Sequence, residues 1–143
     1  MSLKQISVFL ENKPGTLLTM TGVLADNHID MRALSIAETK DFGIVRMIVD
    51  DVYDTTTVLK DAGFIHSLTP VLGVAIPDEP GGLDQVLRVL AEAQVNVEYM
   101  YAFISREMGR AFVIIRLDNG QKAAEALHAN GFEILSPEAI YKM

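Results

Sequence analysis

Pro14-Gly15-Thr16-Leu17 recurs as Pro80-Gly81-Gly82-Leu83, at an offset of 66 residues in a chain of 143. The same offset carries Val23-Leu24-Ala25 onto Val89-Leu90-Ala91 and Ile29-Asp30-Met31 onto Val95-Asn96-Val97. It also carries Gly43 onto Gly109, and Met47-Ile48-Val49 onto Val113-Ile114-Ile115. After a further two residues, Ala62-Gly63-Phe64 matches Asn130-Gly131-Phe132. One Pro-Gly pair would carry little weight, but six landmarks in one order make the chain two copies of a single unit. Each copy has to close its own core in about seventy residues, a size that buries a small share of its surface and is marginal alone. The copies, expected at 1–70 and 71–143, should therefore pack on each other or on a second chain.

Both copies read alike locally. Lys4 to Leu10 alternates, with Ile6, Val8 and Leu10 on one face, as a half-buried strand does. Asn12-Lys13-Pro14-Gly15 breaks it, and Leu17, Leu18, Thr21, Leu24 and Ala25 follow at helical spacing, predicting an amphipathic helix over 15–27. Ile29–Glu38 and Ile44–Val49 read as strands around a turn at Lys40-Asp41-Phe42-Gly43. Tyr53–Ala62 is a short helix stopped by Gly63, and Phe64–Val74 is extended, running almost directly into the second copy. There, Val71–Ile76, Val95–Ser105, Ala111–Leu117 and Phe132–Leu135 are strands, and Gly82–Ala93 and Gln121–Ala129 are helices. The order βαββαβ, twice, is the ferredoxin-like pattern: α+β, antiparallel, with helices on one face of each sheet. Edge-to-edge alignment would give one eight-stranded sheet, its open face and edges covered by a neighbour.

The first strand-to-helix turn is the most specific feature. It reads Glu11-Asn12-Lys13-Pro14-Gly15-Thr16-Leu17, with Asp30 ahead of the second strand. The second copy reads Asp78-Glu79-Pro80-Gly81-Gly82-Leu83, then Gln94-Val95-Asn96-Val97. Both resemble the ACT domain, whose signature is a strand, an acidic-Asn-x-Pro-Gly-x-Leu turn, a helix, and Gly-Val-Asn-Ile opening the second strand. The resemblance implies a stand-alone regulatory protein that binds a free amino acid where modules meet. It implies ligand contacts from Glu11, Asn12, Lys13, Pro14, Gly15, Thr16, Leu17 and Asp30. In the second copy they would come from Asp78, Pro80, Gly81, Gly82, Leu83 and Asn96.

Elementary chemistry fits that implication. The first N–H groups of a helix have no internal acceptor and carry the positive end of its dipole, so a carboxylate can sit there. An Asn or Asp side chain can accept from an ammonium group. The copies differ at these positions: Asn12 is replaced by Asp78, and Asp30 by Asn96. The family pattern has Asn at both, which makes Asp30 and Asp78 the departures. The fuller first turn is the better candidate site.

The remaining residues point to no chemistry of their own. Net charge is −7, from 19 acidic and 12 basic residues, which opposes nucleic acid as a partner. There is no cysteine, so disulfides, thiol nucleophiles and thiolate metal sites are excluded. The start shows no signal-peptide core and no apolar run of membrane-spanning length, so a cytoplasmic protein without a membrane partner is expected. Asp50-Asp51 and Asp54 lie before a helix, where acids suit the dipole better than a metal. Met20, Met31, Met47 and Met100 read as core or interface fillers. Neither catalysis nor a cofactor is expected. The expected partners are a free amino acid, a second copy in a homodimer, and an amino-acid-metabolism enzyme or transporter under its control. Two other classes compete: a small acylphosphatase-like enzyme using Arg32 or Arg46, and a pure interaction module whose turn only shapes an interface.

Overall fold

The computed structural model describes residues 2–104 and 108–143. The elements are β1 (Leu3–Glu11), α1 (Thr16–Asp26), β2 (Met31–Glu38), β3 (Phe42–Val49), α2 (Val52–Asp61) and β4 (Ile65–Pro77). Then come α3 (Gly82–Glu92), β5 (Val97–Ala102), β6 (Arg110–Leu117), α4 (Gly120–Ala129), β7 (Glu133–Ile134) and α5 (Pro137–Lys142). The expected strand end at Ser105 lies outside the described residues. The βαββαβ order occurs twice, antiparallel, with helices on one side of the strands.

Among the described residues seven strands form instead of eight. Phe64–Val74 and Val71–Ile76 were separate segments in the sequence pattern, but the backbone stays extended through both as the thirteen-residue β4. The two compact units part inside it. One holds Lys4–Thr69 with Ile140–Met143, the other Met1–Leu3 with Pro70–Ala139. The short helix α5 had no counterpart in the repeat and was not anticipated from sequence.

In the first unit β2 pairs with β3, and β3 with β1, in register Ile6↔Met47, Val8↔Val45 and Leu10↔Gly43. Ile6, Val8, Leu10, Val45 and Met47 form one core with Met20, Leu24 and Leu59 from the helices. Burying a side chain of this size contributes about 1.5–3 kcal/mol. The inward residues of α1 are Met20 and Leu24, whereas Leu18 is 73% exposed and Leu17 36%. Leu17 lies on the Leu24 stripe but one turn too early to reach the core. Leu83, its equivalent in α3, is 37% exposed for the same reason.

The second unit repeats this plan. β5 pairs with β6, β6 with β4, and β7 with β4. Leu72, Val74, Ile76, Val113 and Ile115 pack with Val86, Leu90, Ala123 and Leu127. Residues that alternate to the other face, Gln5 and Ser7 in the first unit and Phe112 and Ile114 in the second, are also buried within this one chain.

Both units carry a β-bulge at the same place. The register slips between Met31 and Ala33 against β3, and between Val97 and Tyr99 against β6. The extra residues are Arg32 and Glu98. A bulge re-aims a side chain that strict alternation would send elsewhere.

Candidate functional site

The two turns share one backbone conformation. Gly15 has φ 88° and ψ −14°, and Gly81 has φ 88° and ψ −6°. Each is the N-cap of its helix in the left-handed region, where a side chain is penalised. The first helical bonds match too: Thr19 N–H to Gly15 O and Gln85 N–H to Gly81 O, both 3.0 Å. Neither helix receives a side-chain cap. The other two long helices do: Asp51 accepts from Asp54 N–H, and Asn119 from Lys122 N–H. At the start of α1, Thr16 N–H reaches Lys13 O at 3.4 Å, while the N–H groups of Leu17 and Leu18 have no acceptor among the described residues. α1 thus presents open donors at its positive end.

Asn12 is fixed beside that end by the β2–β3 hairpin. Its backbone N–H donates to Asp41 O at 2.9 Å. Its Nδ2 donates to Glu38 Oε2 at 3.3 Å and to Thr39 O at 3.2 Å. The amide nitrogen is engaged, which leaves Oδ1 as the acceptor for an incoming donor. Thr16 Oγ1 donates to Glu11 O at 2.8 Å and Lys13 O at 3.0 Å, so its hydroxyl staples the turn. Lys13 Nζ lies 3.1 Å from Glu11 Oε2 on the surface.

These residues border a hollow of about 340 Å³ lined by Leu10, Glu11, Asn12, Lys13, Thr16 and Leu17, together with Ile36, Glu38, Gly43 and Val45. The volume is at the lower end of the range for small-ligand sites. Leu17, Ile36 and Val45 contribute apolar lining, and Glu38, Asn12 and Lys13 contribute a carboxylate, an amide and an ammonium group. Ile36 and Glu38 were not anticipated from sequence. Their signal was register: both follow Leu34 at even spacing on β2, toward the helix-bearing face.

The second turn is built more tightly. Asp78 N–H donates to Gly109 O at 3.1 Å, as Asn12 does to Asp41. But a Cβ on Gly82 would lie 2.1 Å from Pro77 O, so the position of Thr16 cannot carry a side chain here. A neighbouring hollow of about 440 Å³ is lined by Gln85, Arg110 and Glu133 among others, but by none of Asp78, Pro80, Gly81, Gly82 and Leu83. A hollow of about 580 Å³ beside Arg116 and Gln121 is remote from both turns in sequence and borders none of the expected site residues.

Within a unit, Asp30 is not brought to Asn12. Asp30 precedes β2, while Asn12 is bonded to the hairpin at the strand's other end, roughly 25 Å away for eight extended residues. Asn96 and Asp78 are separated in the same way along β5. Asp30 N–H donates to Asp50 Oδ1, and Asn96 N–H to Asp118 Oδ1, each at 3.0 Å. The Asp30 carboxylate pairs with Arg32. Asp50 and Asp51 are thus occupied with backbone N–H groups. Among the described residues no three His, Cys, Asp or Glu side chains are grouped to hold a metal ion, and no helix is long and apolar enough to cross a membrane.

A family model described as an ACT domain pair matches residues 1–143. An aspartokinase from Mycolicibacterium smegmatis is 32% identical over 117 residues, 80% of this chain and 28% of that one, so this chain spans little more than a quarter of that relative. The crystal structure of a protein from Bacteroides thetaiotaomicron superimposes with a TM-score of 0.93 at 41% identity, covering 100% of this chain and 98% of that one. The ligand-free regulatory subunit of aspartate kinase from Thermus thermophilus has the same fold, with a TM-score of 0.67 at 18% identity, covering 90% and 92%.

Proposed function

The chain belongs to the ACT domain-pair family, and from that premise we propose that it binds a free α-amino acid at the Asn12 turn and regulates an enzyme of amino-acid metabolism. The observation that carries this is the contrast among its helices: α2 and α4 have side-chain caps, whereas α1 begins uncapped at a hollow. The ligand's carboxylate takes the Leu17 and Leu18 N–H groups, with Lys13 adding charge. Its ammonium group takes Asn12 Oδ1 and Glu38 and, from another module, the Asp30 carboxylate. The side chain lies against Leu17 and Ile36, which favours an aliphatic ligand over an acidic one.

In this reading the protein is a regulator and not a catalyst, and an aspartokinase-type enzyme is the first partner to test, from the M. smegmatis relative. Asp30 and Asn96, distant from the turns of their own units, serve as the second half of a site completed by another module. Isothermal titration against each of the twenty amino acids tests the ligand. Heat from one or a few, abolished by Asn12→Leu, is expected. No heat from any, with the protein folded, overturns the reading.

A further inference from the structure

Among the described residues, the start of β2 carries an interaction that the start of β5 lacks. Arg32, the bulge residue, has a side chain only 14% exposed. Its Nε donates to Ile140 O at 3.2 Å and its NH2 group to Tyr141 O at 3.3 Å, while NH1 pairs with the Asp30 carboxylate. Ile140–Met143 belongs to the same compact unit, and Ile140 is buried. In the other copy the bulge residue is Glu98, which pairs with Arg116 Nε at 3.2 Å, and the place of Asp30 is taken by Asn96.

α5 depends on outside contacts. It has six residues, and a helix of that length is unstable alone in water. Ser136 Oγ accepts the Ala139 N–H at 3.1 Å at its start. At its end, Arg32 satisfies two carbonyls and places a cation at the negative pole of the dipole. The nearly buried guanidinium in turn needs its counter-charge, and that charge is Asp30, whose side chain is 65% exposed. Removing one partner of such a pair costs more than the pair contributes, because the other is left uncompensated.

We propose that Asp30 and Arg32 form a latch through which ligand occupancy controls the docking of α5. An ammonium group taken by the exposed Asp30 carboxylate draws that carboxylate away from Arg32, and α5 loosens. This rests on the reading that a free amino acid is the ligand and that Asp30 receives its ammonium group. The coupling is reciprocal: docked α5 weakens binding by the factor by which the ligand weakens docking. The latch also gives the departure from Asn at position 30 a purpose, since an amide would not neutralise Arg32.

Hydrogen exchange on the full chain tests the latch. Without any ligand, Asp30→Asn is expected to speed exchange of the α5 amides about tenfold or more, with the β1 amides around Ile6 unchanged. Arg32→Gln should do the same, and the β1 amides separate local loosening from unfolding. The twenty amino acids are then added singly, with calorimetry identifying any that bind. A binder should speed α5 exchange in the native sequence and add nothing in Asp30→Asn. Unchanged α5 exchange in Asp30→Asn, or a binder that leaves α5 exchange unchanged, overturns the latch. Absence of heat from all twenty overturns the ligand reading and its control of α5, while the ligand-free variants still decide whether the pair holds α5.

Discussion

Asp50 Oδ1 accepts the backbone N–H of Asp30 at 3.0 Å, and the Asp50 N–H returns to Asp30 O at 3.1 Å. Asp118 and Asn96 repeat the pair at 3.0 and 3.2 Å. A charged acceptor here holds the entry of each second strand against the end of the third. Asp50→Ala and Asp118→Ala should each destabilise by about 1–3 kcal/mol, because a charge-assisted bond to backbone is lost. Urea denaturation measures this, and the two losses should be similar. A large loss at one position and none at the other would show that the repeated geometry is not a repeated function.

His28 and Gln94 occupy another repeated position, with φ 56° and 60°. Both follow a helix whose end closes by the same two bonds, His28 N–H to Ala25 O and Ile29 N–H to Leu24 O, with Gln94 and Val95 bonding likewise. Glycine is favoured at such a left-handed position, and it stands in the family's Gly-Val-Asn-Ile signature. His28→Gly and Gln94→Gly should each stabilise by about 0.5–1 kcal/mol, after the extra freedom glycine gives the unfolded chain. The gain should be larger at Gln94, because His tolerates this region better. Thermal melts should rise by about 2–4 °C.

The turns themselves predict an asymmetry. Gly82→Ala forces a Cβ against Pro77 O and should cost about 2–3 kcal/mol. The equivalent Thr16→Ala loses only the hydroxyl bonds to Glu11 O and Lys13 O, about 1 kcal/mol. Denaturant titration of both variants decides. Equal costs would mean that the second turn relaxes away from Pro77.

The repeat made most of the fold readable, because each landmark fixed an element twice. What escaped the sequence were places where regularity breaks. The β4 strand hid a boundary, because Pro70, where the second unit begins, is compatible with an extended backbone and the strand runs on through it. Arg32 and Glu98 look like ordinary alternating residues until a bulge turns them. α5 lies beyond the last repeated landmark and is too short for a periodic signal. At the site, Asn12 and the Pro-Gly turn could be singled out by motif. Ile36 and Glu38 could not, since only strand register brings them to the same hollow.

The expected homodimer has a physical basis in side chains that this chain leaves uncovered. Leu18, Ile36, Phe42 and Ile65 are all large, apolar and exposed in the first unit. Singly exposed residues need no explanation, but several within one small unit favour a covering surface. A second copy is the simplest cover, because a two-fold interface uses the same surface twice. Light scattering after size exclusion at micromolar concentration should give twice the chain mass. Leu18→Ser should shift the protein toward monomer while changing its unfolding free energy within the chain by about 0.5 kcal/mol or less. A monomeric native protein would remove the homodimer. A dimer unaffected by Leu18→Ser and by Phe42→Ser would place the interface elsewhere.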